Sequence, residues 1–297
     1  MCRARCHRGL TLIELLVVIS IIGVLIGLTL AGVQRVRVAA TRASCQNNLR
    51  QIGFALANHH AAYGHFPAGI SLGDAEPLPY LGWLARLLPY IEQDAAWGQV
   101  EPAYRATRDF TASPPHPITV LVSIYGCPAD GRVWQVNTTR NELLVANTSY
   151  LGITGIRHAR RDGVLYKNSK TRYADIPDGT SNTLLAGERP PSADFWYGWW
   201  YAGFGTDSTG TADMVLGVKE ATGAVIDPIV SGCPGPSSFR PGSLIDNCDA
   251  FHFWSLHFGG ANFLFADGSV HFLRYAARDV LPALATRAGG EAVPLPD

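Results

Sequence analysis

The run "HRGLTLIELLVVISIIGVLIGLTLAGVQRV" (His7 to Val36) decides the architecture, because it combines a long apolar segment with one early carboxylate, Glu14. From Leu15 to Val33 there are 19 residues without a charge, broken only by Ser20, Thr29 and three glycines. As a helix this is about 28 Å, close to the hydrocarbon thickness of a bilayer. A secretory signal peptide is the first rival, since Arg3, Arg5 and Arg8 precede the apolar run. The stretch is long for that reading, and no small-x-small cleavage site follows it. Basic residues are nearly matched on the two sides, with Arg35, Arg37 and Arg42 beyond, so the positive-inside rule leaves orientation open.

A carboxylate inside a bilayer costs roughly 2.5 kcal/mol or more, so Glu14 calls for a partner unless it sits at headgroup depth, solvated and without a role. The sequence offers that partner if the chain is cut after Gly9, which makes the α-amine of Leu10 the new terminus, one helical turn from Glu14.

The segment "RGLTLIELLVVISIIGVLIGL" resembles the type IV prepilin N-terminus. Gly9, Leu10 and Glu14 match its leader-ending glycine, its first mature residue and its fifth-position glutamate, with Leu10 in place of the usual Phe. The resemblance implies cleavage and methylation by a prepilin peptidase. It also implies pairing of Glu14 with the amine of a neighbouring subunit during assembly.

Beyond the apolar run, Val33, Val36, Ala40, Ala43, Leu49, Ile52 and Leu56 recur at three- and four-residue spacing, which continues the helix to about Tyr63. Gly64 and Pro67 end it. A helix from Leu10 to Tyr63 would be about 80 Å long, half in lipid and half packed on a domain. In "GWLARLLPYIEQDAAW", Pro89 predicts two short helices or a kink. From Ile118 the texture turns to β, in "ITVLVSIYGC", "SNTLLAGE" and "ANFLFADGSVHFL". Residues 203–249 read as a long loop or insertion. Asp267-Gly268 reads as a two-residue type I′ hairpin turn. The expected fold is α+β and pilin-like: a long N-terminal helix on a mainly antiparallel sheet domain with long loops. Its parts are a leader (1–9), a transmembrane half-helix (10–33), an amphipathic half-helix (34–63), a globular domain (64–286) and a loose tail (287–297).

His257 stands nine residues ahead of Asp267-Gly268, which resembles the H-X9-DG motif that closes a large bacterial family of prepilin-like proteins with an uncharacterised globular domain. The segments "CQNNLRQIGFALANHH", "YGHFPAG", "LLPYIEQ", "CPAD", "ADIPDGTSNTLLAGER" and "HFGGANFLFADGSVHF" fit the same family. The resemblance brings no settled biochemical role.

Cys2 and Cys6 would leave with the leader, and the remaining four cysteines allow three pairings. Cys45 with Cys127 and Cys233 with Cys248 is the expected pattern for a domain facing an oxidising compartment, against free buried thiols. His252, His257 and His271 with Asp267 are a conceivable metal set, but a hydrogen-bonded loop histidine and a turn aspartate account for the motif, so no metal is expected. Asp207, Asp213, Asp227, Asp246 and Asp249 are calcium candidates without EF-hand spacing. "DFWYGWWYAG" (Asp194 to Gly203), read as a strand, puts Trp196 and Trp200 on one face and Trp199 on the other; burial of both faces beneath the long loop is expected, with a sugar or protein surface as the alternative if one face is exposed.

Formal charge is zero over 297 residues. Removing Arg3, Arg5 and Arg8 leaves 21 basic residues against 24 acidic ones, with no basic patch for nucleic acid. No GxSxG, P-loop, HExxH or Rossmann glycine pattern occurs, so no catalytic residue and no cofactor is expected. The leading expectation is a pilin-like or pseudopilin-like subunit, single-pass in the inner membrane, with its domain on the periplasmic or outer face. Its partners are a prepilin peptidase and other pilin-like subunits or itself, in a type II secretion or type IV pilus-like structure. The alternative is a membrane-anchored binding module that uses the helix only as an anchor.

Overall fold

The computed structural model describes residues 12–73, 76–206, 208–220, 233, 235–291 and 293. The helices are α1 (Leu12–Tyr63), α2 (Trp83–Arg86), α3 (Asp94–Ala106) and α4 (Leu281–Ala285). The strands are β1 (Asn137–Thr138), β2 (Leu144–Val145), β3 (Tyr150–Gly155), β4 (Leu184–Glu188), β5 (Val215–Gly217), β6 (Lys219–Glu220), β7 (Ser237–Ser238), β8 (Gly260–Phe265) and β9 (Val270–Arg274). The chain divides into two compact units, residues 1–43 and 44–297.

In the first unit α1 is apolar all round from Leu15 to Val33. Its hydroxyls are satisfied within the helix: Ser20 donates to the Leu16 carbonyl and Thr29 to that of Leu25. Such back-bonding suits a helix with no water beside it. Val33, Val36, Ala40 and Ala43 continue the apolar spacing but are exposed. The buried stripe therefore begins at Cys45, later than the spacing predicts.

The second unit begins where α1 becomes amphipathic. Cys45, Leu49, Ile52, Ala55 and Leu56 are fully buried while Arg50 and Phe54 face outward, the three- and four-residue period of a helix with one face in a core. Gly53 lies on the inward face, where a Cβ would sit 2.9 Å from Leu264 Cδ1, so the glycine permits a close approach to β8.

The sheet has the order β5-β3-β4-β8-β9, antiparallel except for the β3–β5 pair. Both faces are covered. Leu264 and Ala266 join the core that includes Leu49, Ile52 and Leu56, and Ala261, Phe263 and Phe265 join a second core with Phe251, Phe253 and Leu284. Two-sided burial is why "ANFLF" reads as a continuous apolar run rather than an alternating one.

Several local expectations are corrected. "ITVLVSIYGC" is not a strand: Ile118 and Tyr125 lend their carbonyls to Ala146 and Ser149, the Val120 carbonyl accepts the Trp200 indole, and a 3-10 turn closes at Ser123–Tyr125. Residues 203–249 are not all loop, because the apolar "MVLGV" inside them supplies the edge strand β5. "GWLARLLPYIEQDAAW" breaks into α2, a 3-10 turn at Leu88–Tyr90 and the start of α3. The β8–β9 turn is a three-residue loop, not type I′. Gly268 (φ 86°) is left-handed and Asp267 is not, Gly268 N–H donates to the Phe265 carbonyl, and Phe265 N–H to that of Ser269. The tail expected to be loose from Arg287 is tied at its start, where Arg287 donates to the Gly163 carbonyl and Gly289 N–H to Asp178.

Candidate functional site

Gly9 and Leu10 lie outside the described residues. Glu14 stands in the first turn of α1, among apolar side chains that are all exposed, such as Ile13, Leu16 and Val17. Among the described residues α1 is the one helix long and apolar enough to cross a membrane.

In the domain, segments far apart in sequence converge beneath the inner half of α1. Cys45 on α1 is bonded to Cys127 in "CPAD", and Cys233 to Cys248. His257 arrives from the approach to β8 and sets its Nε2 3.5 Å from Cys127 Sγ and 3.3 Å from Glu188 Oε1. Glu188 ends β4 and is itself held by Asn262 of β8, whose backbone N–H donates to Oε2 at 2.7 Å and whose amide donates to Oε1 at 3.0 Å. Gln46 donates to the Asn262 side-chain oxygen at 3.0 Å, and the Cys127 N–H donates to Ser149 Oγ. Cys45, Cys127, Glu188, His257 and Asn262 are all buried, and satisfaction of each polar group by a neighbour is what keeps such a cluster stable in a core.

Asp267 of the same motif does not meet His257. It accepts the Ser269 N–H and donates its own N–H to the Thr180 carbonyl, pinning the hairpin turn to "DGTSNT". His252 is bonded to Asp249 at 2.7 Å and His271 packs against Phe265, so the three histidines do not converge. Of the calcium candidates, Asp207 and Asp227 lie outside the described residues. Asp213 is buried facing Arg189 and bonded by Gly205 N–H, and Asp246 caps the turn at Cys248.

The aromatic segment is not a strand, because Phe195 (φ 56°) and Gly198 (φ 99°) are left-handed. Trp199 and Trp200 are buried, their indoles donating to the Phe195 and Val120 carbonyls, while Trp196 is half-buried beneath the Arg140 guanidinium. They form no exposed platform.

An open cleft of about 400 Å³ lies elsewhere, near the end of α1, lined among others by His59, His65, Arg86, Tyr90, Trp97 and Ser169. Arg86 donates to Ser71 Oγ, while its Nε and Ser169 Oγ are buried without a hydrogen-bond partner. Burial pushes the His59 imidazole down to about 4, so it is neutral at pH 7.

Sequence reasoning missed Glu188, Asn262 and Gln46. A signal was present: Glu188 and Asn262 are polar residues inside the apolar runs of two strands, and buried polar groups must find each other.

Two family models match, the "Prokaryotic N-terminal methylation motif" at residues 4–30 and the "Protein of unknown function (DUF1559)" at residues 34–277. No curated protein and no solved structure matches. Neither model describes an enzyme family. The chain carries a pilin-like, membrane-anchoring N-terminus, and with most of its length matched it belongs to the DUF1559 family of proteins of unknown function.

Proposed function

We propose that this chain is a non-enzymatic pilin-like subunit, cut after Gly9 by a prepilin peptidase, methylated on Leu10 and held in the inner membrane by the outer half of α1. Its subunits associate with one another or with other pilin-like chains in a type II secretion or type IV pilus-like structure, with the domain on the periplasmic or outer face. One observation carries the reading: a methylation motif leads into a helix whose large apolar side chains, among the described ones from Leu12 to Val38, are exposed and whose first turn holds Glu14. A helix apolar on every side requires lipid or other helices around it. Mass spectrometry of the N-terminal peptide, isolated from membranes of the native host, should return N-methylated Leu10. An intact Met1 start or a cut at another bond contradicts the reading.

The cleft at the end of α1 favours a second reading, a membrane-anchored binding module for polysaccharide or protein. Aromatic rings beside a guanidinium and an unsatisfied hydroxyl suit an anionic sugar. Titration with uronic-acid oligosaccharides, followed by tryptophan fluorescence, should saturate and be weakened at least tenfold by Arg86→Ala. No saturable change removes that reading.

A further inference from the structure

We propose that Cys45, Cys127, Glu188 and His257 form a zinc-type cation site when the Cys45–Cys127 disulfide is reduced. Among the described residues this is the one group of at least three histidine, cysteine, aspartate or glutamate side chains close enough to hold an ion, its four ligand atoms lying within 4.8 Å of one another. Zinc takes sulfur at about 2.3 Å and nitrogen or oxygen at about 2.1 Å, so a tetrahedral site demands N···S and N···O edges of about 3.6 and 3.4 Å. His257 Nε2 already stands 3.5 Å from Cys127 Sγ and 3.3 Å from Glu188 Oε1. Once no bond joins them the two sulfurs must part to an edge of about 3.8 Å, and the remaining edges, all within 4.8 Å, settle to about 3.6 Å.

The surroundings suit a metal as well as a disulfide. Asn262 grips both Glu188 oxygens and is itself held by Gln46, an outer shell that orients the carboxylate. Two thiolates and one carboxylate on a divalent cation, with a neutral imidazole, leave a net single negative charge, which the three amide donors around Glu188 and Asn262 temper. A small pocket of about 10 Å³ lined by Cys127, Asp130, Ser149, Glu188 and Ser255 borders two of the four ligands.

The chemistry balances with a dithiol as reductant. Thiol–disulfide exchange transfers two electrons and two protons to Cys45 and Cys127 and leaves the dithiol as its own disulfide. Zinc then displaces the two thiol protons and binds both sulfurs as thiolates. The oxidised and metal-bound states exclude each other, because the same two sulfurs serve both.

The full chain in detergent, reduced anaerobically with a water-soluble phosphine, tests this with cobalt(II) as the probe. One cobalt per chain should give the intense visible bands of a tetrahedral ion and a thiolate charge-transfer band, and zinc should bleach both. Cys45→Ser/Cys127→Ser should abolish the spectrum, whereas Cys233→Ser/Cys248→Ser and Cys2→Ser/Cys6→Ser should leave it intact. Asn262→Ala should weaken binding about 10- to 100-fold while keeping the spectrum. Circular dichroism reports folding throughout. If reduction alone unfolds the domain, zinc should restore it. A folded, reduced chain without the tetrahedral spectrum overturns the site, as does a spectrum that survives loss of Cys45 and Cys127, or unfolding that zinc fails to reverse.

Discussion

The two halves of α1 share one backbone conformation and obey opposite rules. Among the described side chains the large apolar residues from Leu12 to Val38 are exposed, whereas from Cys45 to His59 the apolar ones, Phe54 and Ala57 apart, fall on a single buried face. The first half is apolar on every side from Leu15 to Val33, whereas the second is an ordinary core element, crosslinked through Cys45 and largely polar where it meets water. The arrangement of apolar residues around the axis distinguishes them.

That contrast sets the size of effects. The largest concerns the Cys45–Cys127 bond, which closes 82 residues and anchors the inner half, against 15 for Cys233–Cys248. By the chain-entropy relation the first contributes about 4.5 kcal/mol and the second about 3 kcal/mol. Cys45→Ser/Cys127→Ser should therefore lower the urea midpoint of tryptophan fluorescence more than Cys233→Ser/Cys248→Ser. Equal shifts would mean that the inner half is held by packing alone.

Ile52→Ala should cost about 2–5 kcal/mol in the same measurement, since Ile52 is fully buried. Ile22→Ala should stay within about 0.5 kcal/mol. A comparable loss at Ile22 would break the contrast between the halves.

A smaller effect separates the inner half by pH. Burial holds His59 at about 4, below its unfolded value near 6.5, so the unfolded chain takes the proton first and stability falls as pH drops from 6.5 towards 4. Asp213, pushed up to about 7 by burial, works in the other direction: its contribution is full below its unfolded value and is lost as pH rises through 7. Between pH 7 and pH 5 the His59 loss is on the order of 2 kcal/mol. The two opposing contributions should leave the wild type nearly level across this window. His59→Gln should convert it into a protein more stable at pH 5 than at pH 7. An unchanged profile in the variant would show that His59 does not titrate with folding.

Much of this was legible in the sequence. The helix, its end near Tyr63, the β8–β9 hairpin and the α+β class follow from periodicity and turn residues, because those signals act over neighbouring positions. The packing start at Cys45 was not legible, since Val33, Val36, Ala40 and Ala43 carry the same spacing as the buried residues after them. "DFWYGWWYAG" misled because alternation presumes extended backbone, which Phe195 and Gly198 interrupt. At the Cys45–Cys127–His257–Glu188 cluster, the cysteines and the histidine stood out singly. Their meeting with Glu188 and Asn262 depends on β4 and β8 lying side by side, a long-range pairing that no local pattern encodes.

Glu14 is proposed to act between subunits, and crosslinking in native membranes tests that most directly. Glu14→Ala removes a charge from an apolar helix, so cleavage and insertion should proceed as in the wild type. Crosslinked oligomers should disappear, because a neighbour's amine would be left without its carboxylate in a low-dielectric setting, at a cost of several kcal/mol. Oligomer yields equal to those of the wild type would contradict the account and make α1 an anchor only.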